Sequence, residues 1–266
     1  MSFLEKLARR HKSDKIGAHN YIGIYEKYMS SKKNKSINLL EIGIGGYKNG
    51  NYSDMYTGGN SLKIWRDYFK KGKIVGLDIF KKKLSLGKKV KLFQGSQNSA
   101  DTLDEIIKIY KKFDFIIDDG SHFYKDIVFS FKYLFEHLKD GGYYFVEDTH
   151  TSYLREWDGD GFFLDNNKTA INYFKKIIDK INYNEIENPY FEPDYFAKNI
   201  TEIHFYHNLI VVKKQKNLEK STILIKNRRL VSGHSFIKLR TCIKNIKYFY
   251  LYLKGKINYF LSSLKI

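Results

Sequence analysis

The chain has 266 residues with two prolines and one cysteine, Cys242. That length supports one large α/β domain with a real core, and a lone cysteine excludes an intrachain disulfide, in keeping with a reducing compartment. The formal charge of +18 invites a nucleic-acid reading, but from Lys213 onward fourteen Lys and Arg stand against one acid, a net +13, and the first 212 residues carry only +5. No partnership with nucleic acid is therefore expected. The N-terminus lacks the apolar core of a signal peptide, and no stretch approaches the ~20 apolar residues of a membrane span. A cytoplasmic protein is expected.

Residues 1–36 read as helix, loop and helix. Phe3, Leu4, Leu7 and Ala8 share one helical face, as do Tyr21, Ile22, Tyr25, Tyr28 and Met29. The loop between them is polar and holds Ser13, Asp14 and Lys15. Strands then alternate with helices. Residues 37–46 form a buried strand running into glycines. After an insertion rich in Gly, Tyr and Asn, Asn60 or Ser61 caps a helix to about Lys71. Strands follow at 73–79 and 90–96, a helix at 101–112, a strand at 113–118 and a helix at 127–138. Asp140-Gly141-Gly142 reads as a turn before a strand at 143–148. Residues 168–181 form another helix. Two last strands, 200–206 and 209–214, turn at about His207-Asn208. This order predicts a Rossmann-like, doubly wound α/β fold: a mostly parallel seven-stranded sheet with an antiparallel edge hairpin and helices on both faces. The expected domain spans 37–214. Residues 1–36 form a helical cap that contributes to the site, and 215–266 form a basic, amphipathic helical tail.

Chemistry gathers where strands end. Glu41-Ile42-Gly43-Ile44-Gly45 is a strand-to-glycine turn that lets a ligand approach the backbone. Asp78 ends the next strand, where such folds bond a ribose. Gly95-Ser96-Gln97 ends the third and can touch an adenine or simply turn the chain. Phe113 to Ile117, apolar but for Asp114, stops abruptly at Asp118-Asp119-Gly120-Ser121-His122. Glu147 and Asp148 end the fifth strand. Carboxylates crowded at strand tips repel unless something balances them, and an oxygen-loving divalent cation does so. Helix capping by Asp119, Ser121, Asp148 or Thr149 is the simpler alternative, but it accounts for one acid per site and not for several converging. Asp118 is open between cofactor contact and structural cap. His11 and His19 flank the N-terminal loop and can line the site, with surface or capping roles the preferred reading, and His204 and His207 are expected to be structural.

Leu40-Glu41-Ile42-Gly43, Ser61-Leu62-x-x-Trp65, Gly76-Leu77-Asp78-Ile79, Ile117-Asp118-Asp119-Gly120-Ser121-His122 and Val146-Glu147-Asp148-Thr149-x-Thr151-Ser152-Tyr153 resemble class I S-adenosylmethionine-dependent methyltransferases. More narrowly, they are similar to the metal-dependent sugar O-methyltransferases of mycinamicin and tylosin type. The resemblance runs from about His11 to Lys214. It implies S-adenosylmethionine as methyl donor, Mg²⁺ (or Mn²⁺) held by Asp119, Glu147 and Asp148, and His122 as general base beside Asp119. It also implies a cofactor pocket built from Glu41, Gly43, Ser61, Asp78, Gly95, Ser96, Gln97 and Asp118, with Ser13 and Lys15 from the N-terminal loop. The implied activity is methyl transfer to a sugar hydroxyl, on a nucleotide-activated sugar, a cell-surface or capsular glycan precursor, or a glycosylated small molecule; the basic tail makes cell-surface glycan synthesis the preferred expectation over a soluble antibiotic pathway.

A phosphate-containing or amino acceptor is the nearest alternative, and a non-catalytic scaffold is the rival from another class. A base-amino methyltransferase lacks its Asn/Asp-Pro-Pro-aromatic motif here. In the tail, residues 236–266 repeat apolar positions at helical spacing among lysines. Such a segment can lie on an anionic membrane face, dock on its own domain or join two copies. A homo-oligomer is expected.

Overall fold

Successive residues of a strand face opposite sides of a sheet, so a strand apolar at every position must be covered on both faces. The computed structural model describes residues 1–46, 55–186, 188, 190–222, 224–225, 228–229, 250–251, 253–255 and 257. Seven strands form one sheet: β1 (Asn38–Ile42), β2 (Lys73–Asp78), β3 (Val90–Gln94), β4 (Phe113–Asp118), β5 (Leu138–Val146), β6 (Ile200–Tyr206) and β7 (Leu209–Lys214). Their spatial order is β3-β2-β1-β4-β5-β7-β6. Neighbours from β3 to β5 run parallel, and β7 is antiparallel to both β5 and β6. The predicted sheet, its edge hairpin and the turn at Asn208 are all present.

Two cores follow from the alternation. Leu39, Phe115, Ile117, Phe145 and Val211 face a layer made by α1 (Phe3–Arg10), α2 (Ile22–Met29) and α3 (Asn60–Tyr68), with Tyr25 and Trp65 at its centre. Leu40, Val75, Ile116, Tyr144 and Val212 face α4 (Ala100–Tyr110), α5 (Tyr124–Leu134) and α6 (Ala170–Ile181), where Phe131 and Phe174 pack edge to face. The N-terminal helices are thus part of one sheet layer. A last short helix, α7 (Tyr195–Asn199), leads into β6.

Several boundaries differ from expectation. Gly59, at φ +67°, occupies the N-cap of α3 instead of Asn60 or Ser61. The helix expected over 127–138 starts at Tyr124 and tightens into a 3₁₀ turn at Phe135–His137. Leu138 already pairs with Phe113, so Asp140-Gly141-Gly142 is an irregularity within β5 and not a turn ahead of it. Gly141 has φ +73°, and a Cβ on Gly142 would lie 2.8 Å from Lys139 O. Glycine at both positions lets the strand bulge and resume pairing.

Past the expected boundary at Lys214, the chain stays bonded to the domain. Asn217 N donates to Lys198 O (2.8 Å), and Thr222 N donates to Glu185 Oε1 (2.7 Å). Leu224–Ile225 then pair antiparallel with Arg228–Arg229, so this part of the expected helical tail is extended. Within 236–266 the described residues 250–251, 253–255 and 257 are helical. The rest of that segment, and its expected membrane contact, lie outside the described residues.

Candidate active site

The sheet order reverses between β1 and β4, the position where open α/β sheets bind ligands beyond their carboxyl ends. The ladder continues one residue past the strands there. Gly43 N donates to Leu77 O (2.8 Å), Asp119 N to Ile42 O (2.9 Å) and Glu147 N to Asp118 O (2.9 Å). Gly43 has φ +75°, and a Cβ on it would sit 1.9 Å from Asp119 O. Only glycine fits this crossing of two strand tips. Above it lies a cleft of ≈ 450 Å³.

Five expected cofactor residues line that cleft: Gly43, Asp78, Gly95, Ser96 and Gln97. Asp78 accepts from Phe80 N (2.8 Å) and Ile44 N (3.3 Å), and burial pushes its pKa up. Gln97 accepts from Ser121 N (2.7 Å) and donates to Asp118 Oδ1 (3.0 Å), tying the ends of β3 and β4 together.

The other five lie behind the cleft wall. The Glu41 carboxylate accepts from Ser61 Oγ (2.9 Å) and Trp65 Nε1 (3.0 Å), and burial pushes it up to about 7. Ser13 Oγ accepts from Lys15 N (3.3 Å). Asp118, left open by the sequence, accepts from Tyr144 OH (2.9 Å), Ser130 Oγ and Gln97. It braces β4, β5 and α5 from below, and burial pushes it up to about 6. Lys15 is 1% exposed, its ammonium bonded to Asp119 and Glu147.

Asp119, His122 and Asp148 converge at the cleft, with ligating atoms within 4.8 Å of one another. His122 Nε2 stands 4.0 Å from Asp119 Oδ1 and 4.0 Å from Asp148 Oδ2. His122 (φ +62°) and Asp148 (φ +51°) both occupy the left-handed region. That conformation is costly for residues with a Cβ and gathers at functional sites. Thr151 Oγ1 links the two, donating to Asp148 O (2.8 Å) and reaching His122 O (3.3 Å).

The capping alternative does not hold for these acids. Phe123 is the N-cap of α5 and Asp148 that of the following 3₁₀ turn, neither with a side-chain cap bond. Ser121 alone has a local bracing role, accepting from Phe123 N (3.3 Å) and donating to Asp126 Oδ2 (2.7 Å).

Glu147 is drawn elsewhere. Its Oε1 accepts from Lys15 Nζ (2.7 Å) and from Tyr25 OH, and burial raises its pKa well above the carboxylate range. The structure therefore gathers two of the three implied metal acids with His122, and places the third against an internal ammonium.

The N-terminal segment supplies residues whose spacing signals only helix core. Tyr21 and Tyr25 are two of these. Tyr21 OH donates to Asp148 Oδ1 (2.8 Å) and to Asn208 O (3.1 Å). His19 takes the less preferred of its two expected places: it lines the cleft with Nδ1 3.6 Å from Asp148 Oδ1. His11 pairs with Asp67 (2.7 Å) and His204 with Glu202 (3.0 Å). His207 lines a second, more apolar groove with His150 and Phe205.

No family model matches the chain. Relatives are found among curated proteins. Mycinamicin VI 2''-O-methyltransferase of Micromonospora griseorubida is 37% identical over 218 residues, covering 81% of this chain and 53% of that protein. The 3'-O-methyltransferase of 8-demethyl-8-(2-methoxy-alpha-L-rhamnosyl)-tetracenomycin C from Streptomyces olivaceus is 35% identical, covering 81% and 55%. Among solved structures, the mycinamicin-pathway methyltransferase MycE with Mg and SAH superposes at TM-score 0.77 with 34% identity, covering 85% of this chain and 58% of that one. The same enzyme has also been solved with Mg, SAH and mycinamicin VI. The chain spans about half the length of the curated relatives it matches.

Fold and relatives agree: the chain has the fold of class I S-adenosylmethionine-dependent methyltransferases and is similar to them over about four fifths of its length. Within that class its relatives are sugar O-methyltransferases of macrolide and tetracenomycin pathways.

Proposed function

We propose that this chain methylates a sugar hydroxyl with S-adenosylmethionine as donor and a divalent cation at the acceptor site. The observation that carries the reading is the convergence of Asp119, His122 and Asp148 beside a glycine-walled cleft. The donor set fits Mg²⁺, which takes one or a few carboxylates and fills its remaining positions with water and substrate oxygens. Asp119 and Asp148 would hold the ion. Glu147, the third implied ligand, has one oxygen already engaged by Lys15 and Tyr25. Gly43, Asp78 and the Gly95-Ser96-Gln97 turn would receive the methyl donor.

When bound, the cation supplies Lewis-acid polarisation of a hydroxyl and the donor supplies an activated methyl group. The protein's own part is proton handling and alignment. His122 Nε2 accepts the proton of the acceptor hydroxyl. Asp119 and Asp148, each 4.0 Å from that nitrogen, stabilise the imidazolium that results. Tyr21 and His19 keep the Asp148 carboxylate turned into the cleft.

The relatives' names favour a sugar already attached to an aglycone over a nucleotide sugar or a surface glycan. No helix among the described residues is long and apolar enough to cross a membrane. The basic, amphipathic spacing of residues 236–266 is the support for peripheral membrane contact.

The test is transfer of labelled methyl from S-adenosylmethionine to a panel of glycosides and nucleotide sugars. EDTA abolishes transfer and Mg²⁺ restores it. His122→Gln lowers turnover roughly 10²- to 10⁴-fold while S-adenosylhomocysteine binding by calorimetry is unchanged. Transfer that survives EDTA refutes the metal role, and near-normal turnover in His122→Gln refutes the base. Failure of the wild-type protein to bind S-adenosylhomocysteine favours the scaffold reading.

A further inference from the structure

Lys15 is a buried charge that the proposed mechanism leaves unused. Its backbone belongs to the N-terminal loop, yet its ammonium reaches through to the sheet's carboxyl edge. There it donates to Asp119 Oδ2 (2.8 Å) and Glu147 Oε1 (2.7 Å), and it lies 3.4 Å from Glu41 Oε1. That Glu41 oxygen is buried without a hydrogen bond. Burial lowers the pKa of Lys15, but Asp119, Glu147 and Glu41 outweigh it and raise it well above the usual lysine value.

The ammonium divides the acids into two sets. Glu41 and Glu147 are buried, with Lys15 between them, and their remaining bonds go to Ser61, Trp65 and Tyr25. Asp148 and the other oxygen of Asp119 face His122. Asp119 belongs to both sets, one oxygen to each.

We propose that Lys15 is a built-in counter-cation of this centre: it commits Glu41, Glu147 and Asp119 Oδ2 to the protein's own ammonium and leaves Asp119 Oδ1 and Asp148 to a single, readily exchanged divalent ion. Lys15 is thus a positioning residue that acts through Asp119. It rests on the metal reading above and adds to it the strength and number of ions bound. Without Lys15, an incoming dication would meet no resident positive charge beside Asp119 and would find Glu41 and Glu147 free to bind it.

The test is calorimetric titration of Mg²⁺, and of Mn²⁺, into the full chain, paired with thermal melts. Lys15→Met is expected to bind Mg²⁺ at least tenfold more tightly than wild type, or to take up a second ion. Its apo form melts lower than wild type and regains more of its melting temperature on adding Mg²⁺ than wild type does. Lys15→Arg keeps the wild-type affinity within about threefold, because it keeps the charge. If Lys15→Met does not fold, Lys15→Met with Glu147→Gln removes one of the orphaned acids together with the ammonium and so keeps the net charge of the centre. That double variant then folds and binds Mg²⁺ as wild type does, and its failure to do so overturns the proposal. Unchanged Mg²⁺ affinity in Lys15→Met, with melting lowered equally with and without the ion, makes Lys15 merely structural and also overturns it. Wild-type protein that binds no Mg²⁺ refutes the metal reading itself. Lys15→Met gaining a Mg²⁺ site in that case still supports the counter-cation, and gaining none refutes it.

Discussion

Gly43→Ala tests the strand-tip crossing on which both halves of the cleft depend. The new Cβ would lie 1.9 Å from Asp119 O, 2.6 Å from Asp119 C and 2.8 Å from Gly120 Cα, and ordinary contact begins near 3.4 Å. The segment at Asp119 and Gly120 must therefore give way by about 1.5 Å, the difference between 3.4 and 1.9 Å. Alanine at φ +75° costs about 1–2 kcal/mol in backbone strain, and relief of an overpacked contact adds about 1–3 kcal/mol. The sum, about 2–5 kcal/mol, lies within the stability of an ordinary domain and lowers the melting temperature by roughly 5–20 °C for a domain of this size. Asp119 rides on the displaced segment, so S-adenosylhomocysteine and Mg²⁺ affinities fall at least tenfold. Gly87→Ala is the control, because Gly87 has a similar φ of +83° but nothing within 4 Å of where the alanine methyl would sit. Circular-dichroism melts and calorimetry on both variants separate strain from collision. Equal losses of stability in the two, with ligand binding intact in Gly43→Ala, would refute the reasoning.

Two further predictions concern charge. The Arg66 hydrogen bonds, then His11, hold the Asp67 carboxyl at about 2 against the opposing effect of burial. Because this lies below the unfolded value, its stabilisation is present above about pH 4 and is lost as pH falls toward 2. Solvent screening keeps it below about 1 kcal/mol. Asp67→Asn should flatten that part of the acid limb in urea unfolding at stepped pH, and an unchanged slope counts against the pairing. Lys214 is buried, donates to Glu136 O (2.8 Å) and Leu138 O (2.9 Å), and burial lowers its pKa to about 8. Lys214→Met should cost about 1–3 kcal/mol by leaving those carbonyls short of a donor. Between about pH 8 and the ordinary lysine value near 10.4 the folded wild type binds fewer protons than its unfolded chain, so its stability rises with pH relative to the variant. A stability difference that stays constant between pH 7.5 and 9.5 would contradict this.

Much of the architecture was legible because its signals are local. An apolar run such as Phe115 to Ile117 needs cover on both faces wherever it goes, and glycines or acids at its end mark the sheet's carboxyl edge. The hairpin at Asn208 is a matter of a few neighbouring residues. Boundaries were less legible where local signals compete. Asp140-Gly141-Gly142 has turn composition, but pairing of Leu138 with Phe113 draws it into β5. Asp118 and Asp119 are adjacent and chemically alike, and only their opposite directions from β4 make one a buried brace and the other a cleft acid.

By itself, then, the sequence determined the layered α/β fold and pointed to Asp119, His122, Glu147 and Asp148 at the strand tips, because strand periodicity and strand-tip chemistry are encoded within short windows. That Glu147 parts from the other three was not legible. Tertiary structure alone decided which groups answer those acids. Lys15 meets Asp119 and Glu147 across 104 and 132 residues, Tyr25 meets Glu147 across 122, and Tyr21 meets Asp148 across 127. No local pattern carries such pairings. They arise because α1, α2 and α3 pack as one layer against the sheet, and that packing carries the polar ends of the N-terminal segment to the acids at the strand tips.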